Sequence, residues 1–388
     1  MLKTILKGAA LGAAVVGFMA SAQAADPVKV GVMLPYTGTY AALGEAITNG
    51  MKMAIEDAGG TPGGRAIEYV VVDDESEPGK APANMEKLVS GSNVDMVVGT
   101  VHSGVAMGML KVAREKDAIL LIPNAGFNAA TGPLCAPNVF RTSFTSWQTA
   151  YPMGKAAAHR GFKKVATITW KYGFGEESVE AFKEGFEAAG GEVVEEITLP
   201  FPDVEFQAQL TRLAQIKPDA VFAFFAGGGA VKFVKDYAAA GLNKDIPLIG
   251  SGFLTDGTLA AQGAAAEGIM TTLHYADTLD NPMNRKFREA YKAKFGKEAD
   301  IYAVQGYDTG LVIAGALEAT KGDTADRQAL LAAIRGVTVN SPRGRWTFSP
   351  AQNPVQDIYL RQVKDGRNVM VGVAAEKLAD PARGCKMM

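Results

Sequence analysis

The fold is decided by the stretch VKVGVMLPYTG at residues 28–38. Apart from Lys29, residues 28–34 form an apolar run rich in valine, which predicts a buried β-strand. The segment from Pro35 to Gly38 is typical of a turn. Residues 41–58 then carry apolar side chains at helical spacing. The stretch therefore predicts a βα unit, the building block of a parallel sheet covered by helices on both faces.

The same alternation continues in two series that are separated just after Arg141. The first series has predicted strands at 67–72, 94–98 and 119–122 and helices at 78–90 and 104–116. The second has strands at 165–169, 193–199, 220–225 and 247–249 and helices at 176–189, 204–216 and 230–240. A helical run at 284–320, broken around 296–299, precedes late strands at 358–363 and 369–373.

Two doubly wound α/β lobes in tandem are the economical interpretation, because 388 residues exceed what one compact core accommodates. We expect the helical run at 284–320 to return to the first lobe. The first lobe is then predicted to comprise residues 27–145 and 279–348, and the second lobe residues 146–278 and 349–388.

The N-terminus has the pattern of a secretory signal peptide. Lys3 and Lys7 precede an uncharged stretch that ends in the small-residue triplet Ala22-Gln23-Ala24. A membrane anchor is the alternative, but the stretch is short and only weakly apolar, and no second span follows it. Residues 1–24 are therefore predicted to be a signal peptide that is cut after Ala24, and the rest of the chain is expected to be exported.

Export gives the two cysteines a structural interpretation. Cys135 lies in a loop that contains proline and glycine, and Cys385 lies close to the C-terminus. In an oxidising compartment, a pair of cysteines is expected to form a disulfide. A Cys135–Cys385 bond would tie down the C-terminal tail.

Composition argues against several classes of function. The chain has 39 Lys and Arg against 41 Asp and Glu, so its formal charge of -2 offers no cationic surface for nucleic acid. Three histidines and two cysteines cannot build a metal site rich in those residues. We expect neither a metal nor a cofactor, and no nucleic-acid partner.

The motifs for catalysis are also missing from the sequence. It contains no phosphate-binding G-x-x-x-x-G-K-[ST], no H-E-x-x-H and no G-x-S-x-G. The adjacent pair His102-Ser103 is better explained as a polar loop before a helix, and the glycines at 227–229 lack the spacing of a dinucleotide site. Asp73-Asp74-Glu75 is more typical of a solvated turn than of a cation site. The sequence therefore favours a binding protein over an enzyme.

Open α/β sheets bind ligands at the carboxyl ends of their strands. The loops that follow the predicted strands combine glycine with hydroxyl or aromatic side chains, which suits a small anion with an apolar body. Trp170, Tyr172 and Phe174 alternate just past one strand end, so an extended backbone would place them on one side. The loops are 35–40, 99–104, 123–128, 170–175, 226–229 and 250–256.

The order of these loops resembles the Leu/Ile/Val-binding type of solute-binding proteins, the exported components of ABC importers. The resemblance is carried by GVMLPYTG at 31–38, DDESEP at 73–78, VVG at 97–99, ILLI at 119–122, FRT at 140–142 and YGFGEE at 172–177. It implies a type I periplasmic binding fold, with two Rossmann-like lobes joined by three crossovers that close over a ligand. It also implies a periplasmic location, permease subunits as partners and a monomer.

The resemblance implies a ligand site as well. The family's carboxylate-binding serine matches Ser103, and its second carboxylate loop matches Ala125, Gly126 and Phe127, where Phe127 replaces a threonine. Phe174 stands where the family has a tyrosine. The ligand-binding residues expected from the loops and the resemblance together are Tyr40, Ser103, Ala125, Gly126, Phe127, Tyr172, Phe174, Gly227 and Phe253.

One departure from the family bears on the ligand. The family binds the ammonium group of an amino acid with an acidic residue, and Gly252 occupies that position here. A buried ammonium without a carboxylate is strongly disfavoured. We therefore expect a carboxylate ligand with an apolar or aromatic body, unless Asp256 replaces the missing acid. A branched-chain or aromatic amino acid as ligand, and a sensor that serves a membrane receptor, remain alternatives.

Overall fold

The computed structural model describes residues 26–387, so the predicted signal peptide lies outside the described residues. The run at 28–34 forms the first strand, and its neighbours on both sides run parallel to it. The first sheet is five-stranded and parallel, in the order β2-β1-β3-β4-β5. Its strands are β1 (Val28–Leu34), β2 (Ile67–Asp73), β3 (Met96–Val98), β4 (Leu120–Ile122) and β5 (Val139–Arg141).

Helices cover both faces of this first sheet. Along β1, Val30, Val32 and Leu34 face a core that includes helices α1 (Ala41–Asp57) and α10 (Ile301–Thr320). Met33 points to the opposite face, where α2 (Ala81–Glu86) and α3 (Ser103–Glu115) pack. The sequence of β1 is a nearly continuous apolar run because both faces of the strand are buried.

The second sheet begins as a parallel sheet and is extended by antiparallel strands. Strands β6 to β10 are parallel, and β13 continues the sheet antiparallel to β10. The strands are β6 (Lys164–Lys171), β7 (Glu192–Pro200), β8 (Ala220–Phe224), β9 (Leu248–Ser251), β10 (Met270–Leu273), β11 (Thr338–Ser341), β12 (Gly344–Phe348), β13 (Pro354–Lys364) and β14 (Arg367–Leu378). The remaining helices are α4 (Ser146–His159), α5 (Gly173–Ala188), α6 (Gln207–Ile216), α7 (Gly227–Ala239), α8 (Leu259–Gln262), α9 (Pro282–Phe295) and α11 (Arg327–Gly336).

The return of the chain to the first lobe is made by α10. Gly50 of α1 and Gly306 of α10 lie at the contact, and a Cβ atom on either residue would collide with backbone of the other helix. The two helices can approach this closely only because both residues lack side chains. The expected return of the 284–320 run to the first lobe is therefore confirmed.

Some elements were not predicted. Strands β5 and β10 and the hairpin β11–β12 are short, and α4 contains Pro152, which weakens a helical pattern. The Thr145 hydroxyl accepts from the Gln148 N–H at the start of α4, while the Gln148 side chain accepts from the Thr145 N–H, which fixes the start of this helix. The lobe boundaries stay a prediction, with one difference: β12 pairs with β13, so residues 338–348 attach to the second sheet rather than to the first lobe.

Buried ions and a disulfide stabilise the connections. Arg343 lies in the β11–β12 turn, pairs with Asp308 of α10 at 2.5 Å, and donates to the carbonyl oxygens of Thr142 and Ser143 in the first crossover. The Cys135–Cys385 disulfide is confirmed, with a Cα–Cα distance of 5.5 Å. Within residues 26–387, no helix is both long and apolar enough to cross a membrane.

Candidate functional site

A small cavity lies where the carboxyl ends of the two sheets face each other. In this closed arrangement, the volume that a water-sized molecule can occupy in the cavity is about 20 Å³. Its walls are mainly aromatic, with a few polar groups, and they come from both lobes and from α10. The lining residues are Tyr40, Leu43, Val101, Asn124, Phe144, Tyr172, Phe174, Phe224, Ala226, Phe253 and Tyr302.

Ser103 is the first residue of α3 and is not among the lining residues, but its Cβ atom would lie 3.6 Å from a Cβ atom on Gly173, which precedes the lining residue Phe174. Its side chain is 3% exposed, and its Oγ atom has no hydrogen-bond partner within residues 26–387. The His102 side chain caps the helix by accepting from the Gly104 N–H at 3.1 Å. A helix N-terminus carries partial positive charge and free N–H groups, so this corner of the site favours an anion.

The loop at 125–127 is held in place from behind by Arg141. The buried guanidinium donates to the carbonyl oxygens of Ala125 and Phe127. The Ala125 N–H is itself used, because it donates to the Thr100 carbonyl at 2.9 Å. The Phe127 ring packs among the apolar residues of the first lobe, with the Arg141 guanidinium 5.7 Å from its centroid. Ala125 and Phe127 therefore shape the loop, and neither lines the cavity.

Gly126 is the member of this loop that closes against the opposite lobe. A Cβ atom at Gly126 would collide with the rings of Phe174 and Phe144. The absence of a side chain lets the two lobes approach at this point.

The second-lobe wall is built of phenylalanine rings. Phe174 lies on α5 with its centroid 4.4 Å from that of Phe224 and 5.6 Å from that of Phe253. Phe144, in the first crossover, lies 4.8 Å from Phe253 and 5.9 Å from Phe174. Tilted and edge-to-face pairs of this kind are favourable arrangements for aromatic rings. Together they form an apolar wall suited to a flat ligand.

Contacts between the lobes place the protein in a closed arrangement. The Tyr40 hydroxyl lies 3.0 Å from the Tyr172 hydroxyl, and the Tyr172 ring stacks on His102 at 4.5 Å. Gly227 adopts a φ of 55°, and a Cβ atom there would lie 2.5 Å from the Thr39 carbonyl oxygen. Gly227 therefore serves the contact between lobes rather than the cavity wall.

A carboxylate also joins the two lobes. Glu177 of α5 accepts a hydrogen bond from the Asn128 N–H at 2.7 Å. Burial raises the pKa of Glu177 to about 7, although this hydrogen bond and the nearby Arg141 act in the opposite direction. The protonation state of Glu177 is thus set by the closed arrangement of the lobes.

The space that a side chain at residue 252 would need is occupied by a buried arginine. A Cβ atom at Gly252 would collide with the guanidinium of Arg361, which comes from β13 and is fully buried. The same guanidinium pairs with the buried Asp256 carboxylate at 2.7 Å. Burial raises the pKa of Asp256 to about 6, even though Arg361 opposes this shift. Asp256 is therefore already neutralised by a cation.

Several residues at the site were not predicted from the sequence. Asn124 lines the cavity and donates to Gln305 of α10 at 2.7 Å, and Gln305 in turn contacts the His274 ring at 3.3 Å. Phe144, Phe224 and Tyr302 also line the cavity. The position of Asn124 in a strand-end loop could have signalled its role. Tyr302 lies on a distant helix and carries no local signal.

Among the predicted residues, the structure brings Tyr40, Tyr172, Phe174 and Phe253 together in the cavity lining. Gly126 packs against the lining residues Phe144 and Phe174, while Ser103 lies next to Gly173, outside the cavity lining. Two lobes with facing strand ends, hinge crossovers and a closed aromatic cavity define a class of protein: a two-lobed binding protein that closes over a small solute.

Comparison with known proteins identifies the family. Residues 27–368 match the periplasmic binding protein family, and the chain belongs to that family. A curated Leu/Ile/Val-binding protein homolog from Brucella melitensis is 35% identical over 359 residues, which cover 90% of this chain and 91% of the relative. The predicted family and fold are thereby confirmed. The family consists of periplasmic solute-binding proteins rather than enzymes.

Solved structures give closer matches. A solute-binding protein of an ABC transporter from R. palustris, in complex with benzoate, is 51% identical with a TM-score of 0.91, covering 93% of this chain and 99% of that chain. A second such protein from Rhodopseudomonas palustris BisB5, in complex with 3,4-dihydroxybenzoic acid, is 35% identical with a TM-score of 0.87. It covers 92% of this chain and 99% of that chain.

Proposed function

We propose that this protein is the solute-binding component of an ABC importer and that it captures an aromatic carboxylate of the benzoate class between its lobes. The observation that carries the proposal is the Arg361 guanidinium beside Gly252, paired with Asp256. An amino acid would have to place its ammonium group in this region, where the Asp256 carboxylate is already paired with Arg361. A ligand that has a carboxylate but no ammonium avoids this cost.

The cavity supports an aromatic ligand. Phe144, Phe174, Phe224 and Phe253 contribute rings to its lining, and their centroid distances of 4.4 to 5.9 Å are those of packed aromatic pairs, so a ligand ring would meet an apolar aromatic surface. The solved relatives that bind benzoate and 3,4-dihydroxybenzoic acid support the same ligand class.

The anionic end of the ligand is assigned to the first lobe. The Ser103 hydroxyl donates to the carboxylate, and the N-terminus of α3 adds its partial positive charge. Gly126 allows the loop at 125–127 to approach without a side chain in the way. The aromatic body of the ligand then lies against the phenylalanine wall of the second lobe.

The cellular setting follows from the family and from the N-terminal sequence. We assign the protein to the periplasm, with residues 1–24 removed after Ala24 and the ligand handed to permease subunits in the inner membrane. We assign the lobes to residues 27–145 and 279–337, and 146–278 and 338–388, which moves the β11–β12 hairpin from its expected place in the first lobe to the sheet with which it pairs. The functional unit is assigned as a monomer.

Titration calorimetry with matched ligand pairs tests the ligand class. Benzoate is measured beside 3-phenylpropanoate and phenylalanine, which differ from each other only in the α-ammonium group, and beside 4-methylpentanoate and leucine, which differ in the same way. We expect benzoate to bind and each deaminated acid to bind more tightly than its amino acid.

A second candidate function is favoured by the curated relatives, which are named as Leu/Ile/Val-binding homologs. It predicts the reverse order within each pair. Leucine or phenylalanine binding more tightly than its deaminated partner would overturn the interpretation of Gly252 and Arg361.

A further inference from the structure

Tyr302 presents an unsatisfied phenol at the cavity. It is the second residue of α10 and lines the cavity beside Phe253, with 6.1 Å between the ring centroids. Its side chain is 1% exposed, and its hydroxyl has no hydrogen-bond partner within residues 26–387. The other two tyrosines of the cavity, Tyr40 and Tyr172, satisfy each other at 3.0 Å. A buried hydroxyl without a partner is costly, so a ligand group that pairs with it gains affinity.

Two acidic side chains lie near Tyr302: Asp256, which is paired with Arg361, and Asp300, whose pKa is raised by burial to about 7. A Cβ atom on Gly257 would lie 3.3 Å from Cε2 of Tyr302 and 2.9 Å from Oδ2 of Asp300, which places the Asp300 carboxylate next to the tyrosine ring. Burial, together with the charges of Asp256 and Asp300, holds the pKa of Tyr302 well above its usual value. The phenol therefore stays protonated and can both donate and accept a hydrogen bond.

This charge distribution orients the ligand. A ligand carboxylate at Tyr302 would be repelled by the Asp300 carboxyl group when that group is ionised, whereas the N-terminus of α3 at Ser103 attracts it. A neutral hydroxyl group on the ligand meets no such repulsion at Tyr302. The N-terminus of α3 at Ser103 therefore favours the ligand carboxylate, and Tyr302 favours a neutral hydroxyl group.

We infer that Tyr302 recognises a hydroxyl on the ligand ring at a position remote from the carboxylate, so that the protein prefers meta- or para-hydroxybenzoate to benzoate. This inference rests on the proposed function and narrows its ligand class. Benzoate leaves the Tyr302 hydroxyl unpaired in the closed site, and a hydroxybenzoate pairs it. Sites with a buried hydrogen-bonding group reject analogues that lack the matching group.

Calorimetry with a series of substituted benzoates tests the inference on the wild-type protein. We expect 3- or 4-hydroxybenzoate to bind about five- to tenfold more tightly than benzoate, which is the effect of one ordinary hydrogen bond. Salicylate should show no such gain, because its hydroxyl is adjacent to the carboxylate. The control ligand is the methylbenzoate whose methyl group stands at the ring position of the preferred hydroxyl. It has about the same size but cannot form the hydrogen bond, so it should not bind more tightly than benzoate.

The variant Tyr302→Phe should remove the preference, so that it binds benzoate and the hydroxybenzoate of the preferred ring position with equal affinity. Tyr307→Phe is the matched control, because Tyr307 lies on the same helix and donates to Asp57 at 2.8 Å, away from the cavity. This control should keep the preference of the wild-type protein.

The outcomes separate the two claims. Equal binding of benzoate and the hydroxybenzoates by the wild-type protein would overturn the role of Tyr302 while leaving the proposed function standing. A preference for the hydroxybenzoate that survives Tyr302→Phe would also overturn the role of Tyr302. The same holds if the methylbenzoate gains as much affinity as the hydroxybenzoate with its substituent at the same ring position. Failure of every aromatic acid to bind would instead overturn the proposed function.

Discussion

Replacing Ser103 with alanine is the sharpest test of where the ligand carboxylate binds. The Ser103 Oγ atom is buried and lacks a partner within residues 26–387, so the free protein loses no hydrogen bond on truncation. The ligand complex loses one hydrogen bond to a charged group. Such a bond contributes about 1 to 3 kcal/mol. The N-terminus of α3 remains in place, so binding should be weakened rather than abolished.

The expected loss corresponds to a dissociation constant for benzoate that rises about 5- to 150-fold. Titration calorimetry measures this constant directly, and thermal unfolding of the ligand-free variant checks that its stability is unchanged. Ser178→Ala is the matched control, because Ser178 is also fully buried with an unpartnered Oγ atom but lies within α5 rather than at the N-terminus of α3. Wild-type affinity in Ser103→Ala would refute the assigned carboxylate site.

Two further predictions concern stability. Because the pKa of Glu177 is raised by burial to about 7, the folded protein holds a proton there that the unfolded chain releases above its ordinary pKa of 4.5. This group therefore lowers the free energy of unfolding as the pH rises through that window. The melting temperature of Glu177→Gln should fall less between pH 5 and pH 8 than that of the wild-type protein. An unchanged pH dependence of the melting temperature would contradict this prediction. Glu176→Gln, which changes an exposed neighbour, is the control. Cys385→Ser removes the disulfide between two residues that are 250 positions apart in sequence. It should lower the free energy of unfolding, measured with denaturant, by at most about 5 kcal/mol. A reductant should destabilise the wild-type protein to the same level but leave the variant unaffected, and a reductant effect on the variant would contradict the assignment.

The strands and helices that were predicted correctly have a strong local pattern of apolar residues. The strand at 28–34 was predicted with its observed bounds, and α1 differs from its predicted range by one residue. Long apolar runs and helical spacing are local properties that tertiary contacts reinforce. Among the elements that were missed, β5 and β10 have three and four residues, which are too few positions to show a period, whereas the 14-residue helix α4 contains Pro152.

The candidate site was predicted only in part for a similar reason. Tyr40, Tyr172, Phe174 and Phe253 all lie in or next to strand-end loops, and the general rule for open α/β sheets placed them at the cavity. That rule does not say which way a side chain points. Phe127 is in a loop of the same kind, yet its ring packs into the first lobe under Arg141.

The sequence by itself determined the alternation of strands and helices, the export pattern, the pairing of the two cysteines and the absence of an acidic residue at Gly252. All of these depend on residue types at nearby positions or on there being only two cysteines to pair. Only the tertiary structure decided what fills the space next to Gly252 and what completes the cavity. Arg361 and Tyr302 reach the site from β13 and α10, and contacts made across so many residues of chain leave no periodic or local trace in the sequence.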